Sequence, residues 1–547
     1  MKLQKILVIG CLVVVGSLIS GCQKPVKTAN AKQDKQIFTF IERQELPTAD
    51  ISLATDEVSF ITLNNIYEGI YRLDQNNVLQ PAGAVEAATI SADGRVYKVK
   101  LRKESKWSDG VPVKAKDYVY GWQRTVDPKT SSNQAYMFRP VKHAQAIMNG
   151  KMDKSTLGIR ALNDFELEIT LEKATPYFNY LLALPAYFPQ RQDIVDKYKT
   201  NYAKTDQRAV YNGPFVLSDF DGPGIDTNWN LKKNPTYWDH KTVKLKKIKI
   251  DVVKDANTAL NLFEKGQADD TYLSGDLAQE LKNDPNFIIQ QFASVFYLEL
   301  NQKSPNSPYK NENLRKAISF AIDRKTLVDK IEMNGSTVAK GLVTADLAFD
   351  PETHQDFVEE TDNGLLYDPK QAQNYWQQAQ TELGIKTLKI NLLVDDTDNS
   401  KKMAEFLQAE LADTLKGLEV EITPVPFAVR LDRSNKGDFQ IAAAGWSADY
   451  ADPSSILSLF TSNNPYNRGG FSDQDYDTAV KNAETIHTNN PNVRWHDLLT
   501  AERIFIDKMG AIPLYQQGEA RLRSEKVKNI LFHSTGAKYD FKWTYIA

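Results

Sequence analysis

The chain contains no cysteine after residue 22. Its two cysteines, Cys11 and Cys22, lie near the amino terminus, and the 525 residues that follow have none. Those residues can form neither a disulfide nor a thiolate metal site. A fold of this size must therefore be held together by packing alone, and a chain of 547 residues normally divides into several lobes.

The first residues have the pattern of a secretory signal. Two basic residues, Lys2 and Lys5, precede an apolar run at residues 6–19, and small residues follow it. The run is too short for a helix that must cross roughly 30 Å of hydrocarbon. We therefore predict that residues 1–21 are a signal peptide that is removed from the mature chain.

The signal ends in a motif that resembles the lipobox of bacterial lipoproteins, Ile19-Ser20-Gly21-Cys22. The resemblance implies that the thiol of Cys22 is acylated and anchors the protein on the extracytoplasmic face of the cell membrane, as on a Gram-positive cell surface. The alternative is an ordinary cleavage that leaves Cys22 unmodified. Residues 22–35 are polar and aperiodic, which predicts a flexible tether between the anchor and the fold.

The charge balance argues against a nucleic-acid partner. The formal net charge is −3, and it becomes −5 when Lys2 and Lys5 leave with the signal. A nucleic-acid face needs a basic stripe. The hydrophobic content of 41% and the charged content of 25% are ordinary globular values. We expect a monomer with a solvated surface.

Two early segments alternate between apolar and charged residues. Residues 97–102 carry basic side chains on one face, and residues 165–171 carry acidic ones. A period of two predicts half-buried strands. The opposite charges suit neighbouring strands of one sheet, since cross-strand ion pairs are modestly favourable.

The last third of the chain alternates strands with helices. Residues 388–394, 418–425 and 439–446 read as strands. A helical stripe between the first two predicts a helix that stops at Gly417, and its apolar members are Met403, Phe406, Leu407, Leu411 and Leu415. Strand, helix and strand at these lengths indicate a parallel sheet.

Local signals for catalysis are nearly absent. The segment Gly445-Trp446-Ser447-Ala448-Asp449 lacks the second glycine of a nucleophile elbow. The six histidines are scattered singly, without the spacing of metal ligands. We therefore predict no enzyme activity, no metal site and no cofactor. A secreted hydrolase with a carboxylate pair assembled by the fold stays open as an alternative.

An ordered series of motifs resembles the extracytoplasmic solute-binding proteins of peptide importers. The block Trp107-Ser108-Asp109-Gly110 continues into Val111-Pro112-Val113 as the signature region of that family. Further blocks are Tyr211-Asn212-Gly213-Pro214-Phe215, Asn234-Pro235-Thr236-Tyr237-Trp238-Asp239 and Gly445-Trp446-Ser447-Ala448-Asp449-Tyr450. The series covers essentially the whole mature chain. The residues themselves favour a structural role for the first block, because Asp-Gly suits a turn and Trp107 can fill the core beneath it.

The resemblance implies an α/β fold, a bilobed periplasmic-binding-protein-like clamp of two mixed-sheet α/β lobes with a smaller additional domain. By the same resemblance, lobe I comprises residues 36–66, 205–297 and 516–547, the small domain residues 67–204, and lobe II residues 298–515. The implied function is extracytoplasmic capture of oligopeptides and their delivery to a membrane-embedded ABC permease. Alternatives are a receptor for one signalling peptide, or a haem or nickel carrier of the same fold.

Asp449 is the leading candidate for ligand contact. It follows a predicted strand end, where α/β sheets place their ligand sites, and the family uses an aspartate here for the α-ammonium group of the peptide. A fixed carboxylate can pair with the amine that all linear peptides share. The remaining site residues follow by position in the family: backbone groups of Glu57, Val58, Ala443, Gly445 and Ser447, and pocket aromatic residues Trp446, Tyr297 and Tyr515.

Two positions depart from some relatives. Ala443 stands where those relatives carry an arginine near the carboxyl end of the peptide, and Gln134 stands where they carry a tyrosine. We therefore expect that no salt bridge from position 443 fixes the length of the peptide, and that longer or more apolar peptides are accepted.

Overall fold

The largest sheet of the described residues is mixed and takes strands from both the early and the late parts of the chain. The computed structural model describes residues 36–76, 78–361 and 364–547. The predicted signal peptide, the predicted lipidation site at Cys22 and the predicted tether of residues 22–35 lie outside the described residues. Residues 36–547 form one compact unit.

The large sheet has eleven strands within the described ranges. Its spatial order is Leu418–Val425, Leu388–Asp395, Ile441–Ser447, Phe287–Leu300, Ile512–Arg523, Asp270–Leu273, Ile37–Glu42, Lys247–Val252, Asn228–Lys233 and Phe215–Ser218, with Thr337–Val338 paired to Ile512–Arg523. The two longest strands, Phe287–Leu300 and Ile512–Arg523, lie side by side in the middle of this order. Their antiparallel ladder is interrupted between Gln291 and Val295.

The predicted parallel arrangement in the last third of the chain is confirmed. Leu388–Asp395 pairs in parallel with Leu418–Val425 on one side and with Ile441–Ser447 on the other. The helix between the first two strands ends at Thr414, three residues before the predicted stop at Gly417. Gly417 instead takes a φ of +93° and leads directly into the next strand.

The two alternating early segments also pair as predicted. Val96–Lys100 and Glu166–Thr170 are antiparallel neighbours, with Lys98 opposite Glu168 and Lys100 opposite Glu166. They belong to a four-stranded sheet completed by Thr89–Ile90 and Ile159–Asn163.

The signature block has the structural role that its residues indicated. Gly110 takes a φ of +87°, and its amide donates to the carbonyl of Trp107 at 2.8 Å. The Trp107 side chain is buried, and its indole N–H donates to the carboxylate of Asp117 at 3.1 Å.

The described residues form sixteen α-helices. Several begin at a side chain that accepts a first-turn amide, as Asp56, Asp255, Asn311 and Thr397 do. The α-helices of the described residues are Glu57–Ile66, Ala115–Val126, Ala144–Met148, Phe178–Leu181, Gln192–Tyr198, Ala256–Glu264, Asp276–Glu280, Glu312–Phe320, Arg324–Thr326, Phe357–Thr361, Pro369–Leu383, Asp398–Thr414, Phe427–Lys436, Ser454–Leu457, Gln474–Lys481 and Pro491–Asp507. Of the helices described, none has the length and apolarity to cross a membrane.

Two large hydrophobic cores divide the protein. The first is built from the chain up to Ile250 together with late residues such as Tyr539 and Phe541. The second is built from the chain between Ala293 and Tyr515. Two strands, Phe287–Leu300 and Ile512–Arg523, begin or end in a small hydrophobic cluster that contains Leu522. The other end of each strand lies in the second core. Two adjacent strands thus connect the two halves.

Candidate functional site

A large cavity lies where the two cores meet. Its volume is about 1620 Å³ when the space open to solvent is counted. Its wall contains side chains from the first core, such as Phe40 and Val58, and from the second, such as Met403 and Trp446. A cavity in this position is the natural candidate for a ligand site.

Most of the residues predicted for the ligand site line this cavity. They are Glu57, Val58, Ala443, Gly445, Trp446, Ser447, Asp449 and Tyr515. Their contact with a ligand stays a prediction.

Two predicted residues, Tyr297 and Gln134, lie outside the cavity wall. Tyr297 is buried in the second core, where its ring packs edge-on against Phe460 at 5.5 Å. Gln134 is also buried, and its amide donates to the carbonyl of Ala54 at 2.6 Å and to the hydroxyl of Tyr466 at 3.2 Å. Gln134 therefore positions the chain just before the cavity segment at residues 55–58.

The strand Ile441–Ser447 offers an open edge to the cavity. Its other edge pairs with Phe287–Leu300 along the full length of the strand. On the open side, Leu388–Asp395 pairs only with Ile441 and Ala442, and no other strand of the described chain continues the ladder. Residues 443–447 therefore present unpaired backbone groups, to which an extended chain can add as a further strand.

Asp449 lies two residues beyond the end of this strand. Its carboxylate accepts a hydrogen bond of 3.2 Å from the hydroxyl of Tyr136, and its backbone amide donates to the Ser455 hydroxyl at 2.7 Å. Burial raises the pKa of Asp449 to about 7, although the hydrogen bond from Tyr136 lowers it. Within the described chain, no basic side chain forms an ion pair with this carboxylate. A cation from outside would supply the missing partner.

Another part of the wall carries a charged network in which each base has a carboxylate partner. Lys538 pairs with Glu57 at 2.5 Å, and Glu519 pairs with both Arg43 and Arg521 at 3.1 Å. Burial raises the pKa of Glu57 to about 7, against the effect of Lys538. Burial alone would raise the pKa of Glu519, but the three neighbouring bases lower it to about 2.

Sequence reasoning missed this network. Its members come from the start of a helix, from one strand and from loops, some of them hundreds of positions apart, and no local motif marks them. It predicted Tyr515 as a pocket aromatic residue but missed Phe296, which also lines the cavity and whose ring stacks on that of Tyr515 at 5.0 Å. The alternation of side chains along the two neighbouring strands was the one sequence signal that could have suggested the contact between Phe296 and Tyr515.

The comparisons with known proteins agree with this arrangement. A family model described as bacterial extracellular solute-binding proteins, family 5 middle, matches residues 78–468. The chain belongs to this family. The resemblance stated from the motifs is thereby confirmed.

Relatives of this solute-binding protein match it over nearly its whole length. A dipeptide-binding protein of Lactococcus lactis is 34% identical and covers 100% of both chains. The structure of Listeria monocytogenes OppA bound to peptide is 38% identical, with a TM-score of 0.91 over 94% of this chain and 99% of that one. The structure of the pheromone receptor PrgZ is 40% identical, with a TM-score of 0.90 over 94% and 100%.

These likenesses confirm the predicted fold class. The solute-binding protein is an α/β clamp with two mixed-sheet lobes and an additional small domain. The exact lobe boundaries, at residues 66, 204, 297 and 515, stay a prediction. The two crossing strands pass through the last two of these positions.

Proposed function

We propose that this solute-binding protein captures oligopeptides outside the cytoplasm, leaves them chemically unchanged and delivers them to an ABC-type importer. The observation that carries the proposal is the carboxylate of Asp449, which faces the cavity without a basic partner among the described residues, next to an open strand edge. The carboxylate can pair with an amine, and the backbone groups of the strand edge can form hydrogen bonds with a peptide backbone.

This combination suits a ligand defined by its backbone. The strand edge at residues 443–447 can hydrogen-bond any extended peptide, whatever its side chains. The carboxylate of Asp449 can pair with the α-ammonium group at the end of that chain. The names of the relatives support the same ligand class, since one is called a dipeptide-binding protein and another was solved with a bound peptide.

Capture would proceed by closure of the two lobes. The strands Phe287–Leu300 and Ile512–Arg523 connect the lobes, and the interrupted pairing between Gln291 and Val295 offers a place to bend. A ligand stabilises the closed form only by binding it better than the open form. The closed monomer would then dock on the permease.

The sequence of the amino terminus supports peptide capture at the outer face of the membrane. We propose that residues 1–21 direct export and that a lipid on Cys22 holds the mature protein at the membrane. The tether of residues 22–35 would then let the clamp reach its permease.

Mass spectrometry of the ligands that co-purify with the full-length protein tests the proposed function. Peptides of mixed sequence, recovered intact after prolonged incubation, are the expected result. Recovery of cleaved peptides would indicate a hydrolase, and recovery of no peptide even after growth in peptide-rich medium would contradict the proposal.

A receptor for one signalling peptide is the second candidate. It is favoured by the likeness to the structure of the pheromone receptor PrgZ. A panel of unrelated peptides separates the two roles: one nanomolar ligand among micromolar ones indicates a receptor, and a broad micromolar range indicates nutrition. An absorption spectrum and a metal analysis of the purified protein test the remaining alternative, a haem or nickel carrier.

A further inference from the structure

Lysines are concentrated around one end of a strand in the predicted lobe I. Between residues 232 and 249 the chain carries seven lysines and a single acid, Asp239. That acid is already paired with Lys542, at 2.8 Å. Because the whole chain has a formal net charge of −3, this segment is a positive region on a negative protein. A region of this kind attracts anionic partners.

Three of these lysines lie side by side on one face of the large sheet. Lys247 and Lys249 are two positions apart in the strand Lys247–Val252, so their side chains point to the same face. Lys232 is the partner of Lys247 in the neighbouring strand. Lys232 pairs with Asp219 at 3.3 Å, whereas Lys247 and Lys249 form no ion pair with a described residue.

The lysines continue onto the last strand of the chain. The ammonium group of Lys244 lies 4.2 Å from the ring centre of Tyr545, and Tyr545 is in turn the ladder partner of Lys528. Two acids, Asp219 and Asp251, lie beside the group and are outnumbered by the bases. We call these five residues the lysine patch: Lys232, Lys244, Lys247, Lys249 and Lys528.

The described chain begins beside the lysine patch. Gln36 is the first described residue, and its carbonyl accepts a hydrogen bond of 2.8 Å from the backbone amide of Lys246. The side-chain amide of Gln36 donates to the carbonyl of Ile546 at 2.8 Å. Gln36 lies 14 positions after Cys22, and a flexible chain of that length spans roughly 20 Å on average. The proposed lipid on Cys22 would therefore keep the lysine patch near the membrane.

The predicted tether has the same sign of charge as the patch. Its charged residues are four lysines and one acid: Lys24, Lys27, Lys32, Lys35 and Asp34. Basic clusters next to a membrane anchor are attracted to anionic headgroups, within about a Debye length of the surface. We propose that the lysine patch lies against the phosphate groups of anionic lipids in the membrane that holds the anchor. The inference rests on the proposed lipidation of Cys22 and adds an orientation to it.

This contact points the candidate site away from the membrane. The strand Ile37–Glu42 pairs in parallel with the lysine strand, with Ile37 opposite Lys247 and Glu42 opposite Val252. Glu42 lines the cavity. The patch and the cavity therefore lie at opposite ends of these two strands, about 17 Å apart along them. The resting protein presents its cavity to incoming peptides, and it leaves the lipid surface to dock on the permease.

Lysine footprinting on the membrane-anchored full chain tests this orientation. The protein is reconstituted into phosphatidylcholine vesicles with or without phosphatidylglycerol, and mass spectrometry gives the acetylation rate of each lysine. We expect Lys247 and Lys249 to react about 3- to 10-fold more slowly on the anionic vesicles. The exposed Lys389 and Lys402, in the predicted lobe II, should react equally on both. About 1 M salt, which shortens the Debye length to about 3 Å, should remove the difference.

A charge reversal separates the patch from the tether. The double variant Lys247→Glu, Lys249→Glu should lose the protection of Lys528. Its fold should be retained, because the new carboxylate at position 247 lies opposite Lys232 in the ladder. The matched control is the double variant Lys389→Glu, Lys402→Glu, which changes the charge equally and should keep the protection. Peptide affinity, measured by calorimetry, should be unchanged in both variants.

The remaining outcomes count against the inference. Equal acetylation of Lys247 on neutral and anionic vesicles, or protection that extends equally to Lys389, overturns the oriented contact while peptide capture stands. Protection by soluble polyphosphate but not by anionic vesicles would identify an anionic polymer as the partner and contradict a lipid surface. If the protein does not float with neutral vesicles, Cys22 carries no lipid, and the anchor and the orientation both fail.

Discussion

The hydroxyl of Tyr136 donates a hydrogen bond of 3.2 Å to the carboxylate of Asp449, which lies 313 positions later in the chain. Tyr136 belongs to the helical turn Asn133–Phe138, in the predicted small domain, and Asp449 follows a strand of the predicted lobe II. A residue of the predicted small domain therefore takes part in setting the charge of the candidate site.

Replacement of Tyr136 by phenylalanine should weaken peptide binding near neutral pH. The hydroxyl favours the ionised carboxylate, so its loss raises the pKa of Asp449 further, by roughly one pH unit. Less of the carboxylate is then ionised at pH 7. In binding isotherms measured across pH, the loss of affinity on acidification should begin at a higher pH than in the wild-type protein. Tyr466→Phe is the control, since the hydroxyl of Tyr466 accepts from Gln134; an equal displacement in both variants would contradict the account.

Peptide affinity should fall as pH is lowered through about 7. Only the ionised carboxylate of Asp449 pairs with an ammonium group, and burial raises the pKa of Asp449 to about 7 in the free protein. Affinity is fully present above that pKa and falls by about tenfold per pH unit below it, until the lower pKa of the bound state is reached. Titration calorimetry from pH 8 to pH 5 measures this slope. A flat profile would rule out the ionised carboxylate as the binding group.

The sequence predicted those parts of the fold that short-range patterns determine. The opposite charges of Lys98 and Glu168 indicated neighbouring strands, and strand–helix spacing indicated the parallel arrangement that ends near Asp449. Both patterns depend on residues within one or two elements, and pairing follows from periodicity and burial.

The remainder of the site depends on contacts between distant segments. The pairs Glu57–Lys538 and Arg43–Glu519 join residues more than 470 positions apart, and nothing in their local sequence distinguishes them from surface charges. Side chains of the strand that contains Tyr297 point alternately into the cavity and into the core, and the side chain of Tyr297 lies in the core. The position of Tyr297 in the family did not reveal this.

An ion pair between the predicted lobes should hold the clamp closed. Lys254, in the predicted lobe I, pairs with Asp396, in the predicted lobe II, at 2.8 Å, and also with Glu45 at 2.6 Å. Because the pair is partly exposed, we expect Lys254→Met to reduce affinity only about 2- to 5-fold. The change should appear as faster peptide dissociation in stopped-flow measurements.

The control for this variant is Lys325→Met. Lys325 pairs with Asp329 one helical turn away, within the predicted lobe II. Its replacement should leave the dissociation rate unchanged. If both variants release peptide at the wild-type rate, the ion pair between Lys254 and Asp396 does not stabilise closure.

Replacement of Cys22 by serine should release the protein from the membrane. Without the thiol no lipid can be attached, and the predicted tether of residues 22–35 is too polar in sequence to hold the chain in a bilayer. Fractionation of cells expressing the wild-type and Cys22→Ser proteins measures this, together with the mass of the mature amino terminus. An unmodified Cys22 in the wild-type protein would contradict the anchor.

The central claim is that the unpaired carboxylate of Asp449 binds the amino end of a peptide. Calorimetry with one peptide in free and Nα-acetylated forms, on the wild-type protein and on Asp449→Asn, tests it most directly. We expect acetylation to cost the wild-type protein about 2–4 kcal/mol of binding free energy and the variant almost nothing, while unliganded Asp449→Asn unfolds at the same or a higher temperature. Equal binding of the two forms by the wild-type protein would contradict the claim.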